Sequence, residues 1–173
     1  YGVPTVVRVE SDARIRVGRV LDAGAAGVML PRLDTADQVR AAMAHLYYPP
    51  RGDRGVATYN RACRFGLDPG ALDRANDEVL GVVQIESAQA VAGAEEIASI
   101  DGVDVLFVGP RDLSHDLGVP GQVTAPVFVD ALDQFDHVRL PQLPQVLRVQ
   151  VGEAQVQRAR AQRGVDRVSS QWR

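Results

Sequence analysis

Two carboxylates follow two apolar, β-branched runs. Glu86 closes "VVQIE" (82–86), and Asp112 stands just past "VLFVGP" (105–110). In parallel α/β folds the functional groups gather at the carboxyl ends of the strands, in the loops that follow. Neighbouring parallel strands lie ~4.8 Å apart, so acids at the ends of consecutive strands reach a common point. Two unpaired anions that close repel each other and raise a pKa. A divalent cation removes the conflict. Two carboxylates with no local His or Cys set are hard oxygen donors, which favour Mg²⁺ or Mn²⁺ with water or substrate oxygens completing an octahedron. Each acid alone also has a plainer reading. Asp112 is placed to N-cap a short helix at "LSHDLG", and Glu86 to sit in the first turn of the helix that follows it.

Arg8 is the third candidate. It lies near the end of "VVRV" (6–9), where an unpaired arginine is costly. A guanidinium beside a metal binds a carboxylate or keto oxygen and stabilises an enolate. The plainer alternative is an ion pair with Glu10 or Asp22. Gln84 stands two residues before Glu86. All 19 basic residues of this chain are arginines, which excludes a Schiff-base lysine within it.

Other residues rank lower. Arg51-Gly52-Asp53 spells an adhesion tripeptide but reads as an ordinary turn. His45 is expected on a helix face, His115 in a solvated loop after the second acid, and His137 in the C-terminal segment. Cys63 has no identifiable base. "DAGAAG" (22–27) lacks the Lys-Ser/Thr of a phosphate loop.

The elements that must carry these residues follow a βα rhythm. Strands are expected at 5–9, 26–31, 80–86 and 103–110, and helices at 11–25, 35–46, 71–79 and 87–100. Ser11 is the expected N-cap of the first helix and Gly24 its C′ residue. Thr35 and Gln38 form a capping-box pattern, followed by Val39, Ala42, Met43 and Leu46 at helical spacing. "YYPPRGDRG" (47–55) opens a loop running to about Gly70. Apolar runs alternating with helices indicate βαβ units and a parallel sheet covered on both faces. From Asp133 onward the rhythm stops, and eight glutamines and seven arginines crowd the remaining residues. "EAQVQRARAQR" (153–163) reads as a polar helix.

With 173 residues, 46% hydrophobic and 24% charged, the composition is that of an ordinary globular domain. A net charge of −3 gives no reason to expect nucleic acid or an anionic membrane as partner, and no run approaches a transmembrane length. The single cysteine fits a reducing cytoplasm.

Taken together, "LDAGAAGVMLPRLDTADQVR", "YYPPRGDRG", "VVQIESAQAV" and "EEIASIDGVDVLFVGPRDLSHDLGVPG" resemble the HpcH/HpaI aldolase/citrate lyase family. The branch they are most similar to is the 2-keto-3-deoxy acid and 4-hydroxy-2-oxoheptanedioate aldolases. The resemblance implies a (β/α)₈ barrel and a Mg²⁺, Mn²⁺ or Co²⁺ ion. It also implies reversible cleavage of a keto acid to pyruvate and an aldehyde, with a homo-oligomer for the full-length family. By resemblance Glu86 and Asp112 match the metal ligands, and Arg8 the arginine that binds the pyruvate oxygen and steadies its enolate. Gln84 matches the glutamine beside the site. The backbone amides around Arg111 and Asp112 match the groups that hold the pyruvate carboxylate. The family's general base lies in an N-terminal part of the barrel that has no counterpart here.

A full barrel needs eight strands and ~250 residues, whereas four strands are legible. The expected architecture is therefore an incomplete TIM barrel over 1–132, beginning near the family's third strand. An atypical Gln/Arg-rich segment of frameshifted or disordered character follows over 133–173. Two alternatives to the aldolase stand beside it. One is a non-catalytic barrel remnant; the other is a citrate-lyase-like enzyme acting on CoA esters, against which the Tyr-Pro-Pro string argues.

Overall fold

Four short apolar strands align side by side in chain order: β1 (Val6–Arg8), β2 (Gly27–Leu30), β3 (Leu80–Ile85) and β4 (Val105–Val108). The computed structural model describes residues 2–135 and 138. All three pairings are parallel, with Arg8 opposite Met29, Met29 opposite Val82, and Val82 opposite Val105. The helices are α1 (Arg14–Asp22), α2 (Ala36–Ala44), α3 (Ala71–Glu78), α4 (Ala88–Ala92), α5 (Ala94–Ala98), α6 (Pro110–Asp116) and α7 (Pro126–Phe135). The expected α/β order of parallel strands and helices is therefore observed. The predicted helix at 153–163, His137 and nearly all of the 133–173 segment lie outside the described residues.

Side chains alternate across a sheet, and the register divides these strands into two faces. One carries Val28, Leu30, Val83, Ile85 and Leu106, each fully buried beneath the helices. The core continues into Val17 and Leu21 of α1, Val39 and Met43 of α2, Ile97 of α5, Leu113 of α6, and Phe128 and Phe135 of α7. The other face carries Val6 and Arg8, which are exposed, together with Val82, Gln84 and Val105, which are buried. Gly27 lets β2 approach β3 closely, since a Cβ there would stand 2.6 Å from the Leu80 carbonyl oxygen.

Local signals explain most boundaries. The Thr35 hydroxyl accepts the Gln38 N–H at 3.3 Å, and the Gln38 side chain accepts the Thr35 N–H at 3.1 Å, so the predicted capping box is formed. Gly24 adopts φ 94° just past α1, as a C′ glycine should. Two expectations are corrected. Helix α1 starts at Arg14 behind Ala13 rather than at Ser11. Its two buried residues, Val17 and Leu21, are four apart, and an earlier turn would bury nothing more. The single helix expected over 87–100 is two, divided at Gly93, which closes α4 and opens α5.

Candidate functional site

The carboxyl ends of the strands bring the predicted residues into one neighbourhood. Glu86 follows β3 directly and is only 7% exposed. Its Oε2 accepts the backbone N–H of Arg32 at 3.2 Å. Asp112 lies in the first turn of α6, a helix begun by Pro110 at its first turn, where a missing N–H costs nothing. Neither plainer reading of the acids is realised. Glu86 precedes the N-cap of α4, a role taken by Ser87, whose hydroxyl accepts the Ala90 N–H at 3.0 Å. The N-cap of α6 is Gly109, and Asp112 makes no capping bond.

The electrostatics agree with a shared site. Burial, above all, raises the Glu86 carboxyl above its ordinary value. The Arg32 N–H opposes that, the nearby charge of Asp112 adds to it, and the guanidinium groups of Arg8 and Arg32 partly offset it. Glu86 and Asp112 thus feel each other, as strand-end acids should.

Arg8 donates from Nε to the Gln84 side-chain oxygen at 2.9 Å. Its alternative partners are engaged elsewhere: Glu10 with Arg16 at 2.8 Å, and Asp22 with Arg54 at 2.8 Å. Gln84 itself is 7% exposed and lies on the same face of β3 as Glu86. The Arg111 side chain is exposed and lines a hollow with Pro110, His115 and Pro120 that neither acid lines.

The donor set suits a hard divalent cation. Among the described residues no three His, Cys, Asp or Glu side chains gather. Among the described residues Glu86 and Asp112 are the carboxylates that meet at this rim, and burial weighs on the charged form of Glu86. Gly109 is part of this arrangement. A Cβ on it would stand 2.7 Å from Glu86 Cγ and 2.9 Å from Oε1. Gly109→Ala is expected to push Glu86 aside and weaken Mn²⁺ binding by about 10-fold or more, since ligand placement sets metal affinity. Mn²⁺ titration of the folded variant checks this.

Sequence reasoning missed Arg32. It stands two residues past β2 with φ 55°, and its Nη2 lies 3.7 Å from Asp112 Oδ1. The strand-end rule that found Arg8 and Glu86 would have found it too.

The HpcH/HpaI aldolase/citrate lyase family model matches residues 1–166, a span that takes in most of the residues after Asp133. A hydroxypyruvate/pyruvate aldolase of Sagittula stellata is 46% identical over 136 residues, which is 78% of this chain and 54% of that protein. A 2-dehydro-3,6-dideoxy-6-sulfogluconate aldolase of Pseudomonas putida is 44% identical over 144 residues, 81% of this chain and 56% of that one. The crystal structure of a family protein from Burkholderia cenocepacia J2315 superimposes with TM-score 0.72 at 41% identity, covering 75% of this chain and 52% of that chain. The chain spans about half the length of the curated relatives it matches.

Proposed function

The chain belongs to the HpcH/HpaI aldolase/citrate lyase family, and from that premise we propose that it forms the metal-binding, pyruvate-holding part of a metal-dependent aldolase. The substrate is a 2-keto-3-deoxy or 4-hydroxy-2-oxo acid, cleaved to pyruvate and an aldehyde. Glu86 and Asp112 hold the divalent cation, which is Mg²⁺, Mn²⁺ or Co²⁺. That ion supplies Lewis acidity toward the carboxylate and carbonyl oxygens of the keto acid.

The chain's own residues supply the contacts to the reacting oxygens, and the base is not among the residues assigned to this site. In cleavage the C4 hydroxyl loses its proton to a base, the C3–C4 bond breaks, and its electron pair passes toward the C2 carbonyl oxygen. Arg8 is placed to hold that oxygen as negative charge collects on it. Gln84 fixes the Arg8 guanidinium through the 2.9 Å hydrogen bond. The backbone amides of Arg111 and Asp112 receive the pyruvate carboxylate. We place it in the cytoplasm, with the homo-oligomer belonging to the full-length form of the family. Among the described residues no helix is long and apolar enough to cross a membrane.

The observation that carries this reading is Glu86, a nearly buried carboxylate raised by its burial and set beside a second acid. Titration with Mn²⁺, with and without pyruvate, tests it. Binding is expected to tighten with pyruvate and to vanish in Glu86→Ala/Asp112→Ala. A folded chain that binds no Mn²⁺ would leave the non-catalytic remnant in its place. Arg8→Ala is expected to keep Mn²⁺ binding but lose most of the pyruvate-induced gain. Arg8→Lys should not restore it, because an ammonium lacks the planar fork.

A further inference from the structure

We propose that Arg32 is the site's own counter-cation. Its guanidinium covers Asp112 until a divalent cation arrives, then turns to the anionic group of the keto acid. The inference rests on the reading of Glu86 and Asp112 as metal ligands and adds a positioning role that their assignment does not contain.

The backbone comes first. Arg32 is one of three non-glycine residues with positive φ among the described residues, at 55°. That conformation is uncommon for a side chain of this size. It costs ~1–3 kcal/mol and persists where the surroundings dictate it. In this conformation its N–H donates to Glu86 Oε2 at 3.2 Å. The amide therefore orients the buried acid, and glycine would supply that amide with less strain. An arginine at this turn is not required by the turn.

The side chain has a separate task. Its Nη2 lies 3.7 Å from Asp112 Oδ1, with the two side chains 78% and 52% exposed. A pair this long and this wet is loose, worth ~0–1 kcal/mol. Arg8, the other cation of the site, is held by Gln84, so Arg32 is the cation placed directly on Asp112. Were Glu86 and Asp112 to hold a divalent ion, its charge would repel the guanidinium and compete with it for Asp112. The freed group is a planar fork suited to share the keto acid's carboxylate with the amides of Arg111 and Asp112.

Mn²⁺ titration of the full chain, followed by the electron paramagnetic resonance signal of free Mn²⁺, tests this. Arg32→Gly keeps the amide and eases the turn while removing the guanidinium. Without pyruvate it is expected to bind Mn²⁺ roughly two- to five-fold more tightly than the wild type, the range that a loose pair allows. That gap should narrow as salt is raised. With pyruvate, Arg32→Gly should lose most of the tightening seen in the wild type. Arg32→Lys should match the wild type in metal affinity but recover only part of the pyruvate effect. If Arg32→Gly fails to fold, Arg32→Asn serves, since asparagine tolerates left-handed backbone.

Mn²⁺ affinity equal to or weaker than wild type in Arg32→Gly overturns the inference and leaves the metal reading intact. Absence of binding in every chain, or binding that survives in Glu86→Ala/Asp112→Ala, overturns both.

Discussion

Glu86→Gln is expected to gain stability and lose the metal in one step. Glutamine has the same shape and can still accept the Arg32 N–H through its carbonyl oxygen. It carries no charge, so Mn²⁺ affinity should fall by at least ~100-fold and the proposed cleavage with it. The gain in stability follows from linkage. Burial raises the folded-state pKa of Glu86 above the ordinary 4.5. A group raised in this way favours the fold below its unfolded pKa, and that contribution is lost as pH rises through its folded pKa. At neutral pH the ionised carboxylate is therefore a net cost to the fold. Thermal melts in a chelator should place Glu86→Gln above the wild type at pH 7. The two should converge as pH falls toward 4.5 and below, where Glu86 is protonated in both states. Adding Mn²⁺ should reverse the order, because only the wild type binds it. At 100 times its dissociation constant a ligand adds ~2.7 kcal/mol, a contribution open only to the chain that binds it. A variant less stable than wild type at pH 7 in chelator would show that Arg8 and Arg32 outweigh burial at Glu86.

What the sequence disclosed about this site depended on distance along the chain. Glu86 and Asp112 were found because each follows its own strand, and strand ends in a parallel sheet share one rim. Arg8 was found by the same rule, but its bond to Gln84 joins residues 76 positions apart and is invisible to any local pattern. The capping box of Thr35 and Gln38 was legible because both partners lie within one turn. The strand-end rule marks the position of Arg32 but not its role, which lies in a backbone angle and an N–H to a residue 54 positions away. The division of α4 from α5 escaped because a glycine inside a helical pattern usually does no more than weaken it. Gly109 looked like a strand terminus, and only the packing of Glu86 against it gives it a second role.

Arg54→Ala is expected to cost ~2–4 kcal/mol of stability while leaving the metal site of the folded protein unchanged. Arg54 is 5% exposed, inside the loop whose Tyr-Pro-Pro string marked the family resemblance. Its Nη2 donates to Asp22 Oδ1 at 2.8 Å, and its guanidinium carbon lies 4.4 Å from the centre of the Tyr48 ring. Asn60 donates to the same Asp22 oxygen at 3.0 Å. Truncation would strand part of Asp22's charge and open a gap against Tyr48. Losing one partner of a buried pair costs ~3–5 kcal/mol. Two observations reduce the figure: Asp22 is 34% exposed, and Arg54 Nε is buried with no hydrogen-bond partner among the described residues, a penalty that truncation removes. For a chain of this size the loss corresponds to a melting temperature lower by roughly 5–15 °C. Arg54→Lys should recover only a minor part, because an ammonium cannot both pair with Asp22 and stack flat on Tyr48. Asp22 closes α1 just before β2 begins, so the pair stands at the amino ends of the strands, away from Glu86 and Asp112. Wild-type Mn²⁺ affinity in the folded Arg54→Ala protein would assign this loop to holding the fold. A loss of affinity without unfolding would instead mean that the two ends of the sheet are coupled, with strain passing along β2 to Arg32 and from its amide to Glu86.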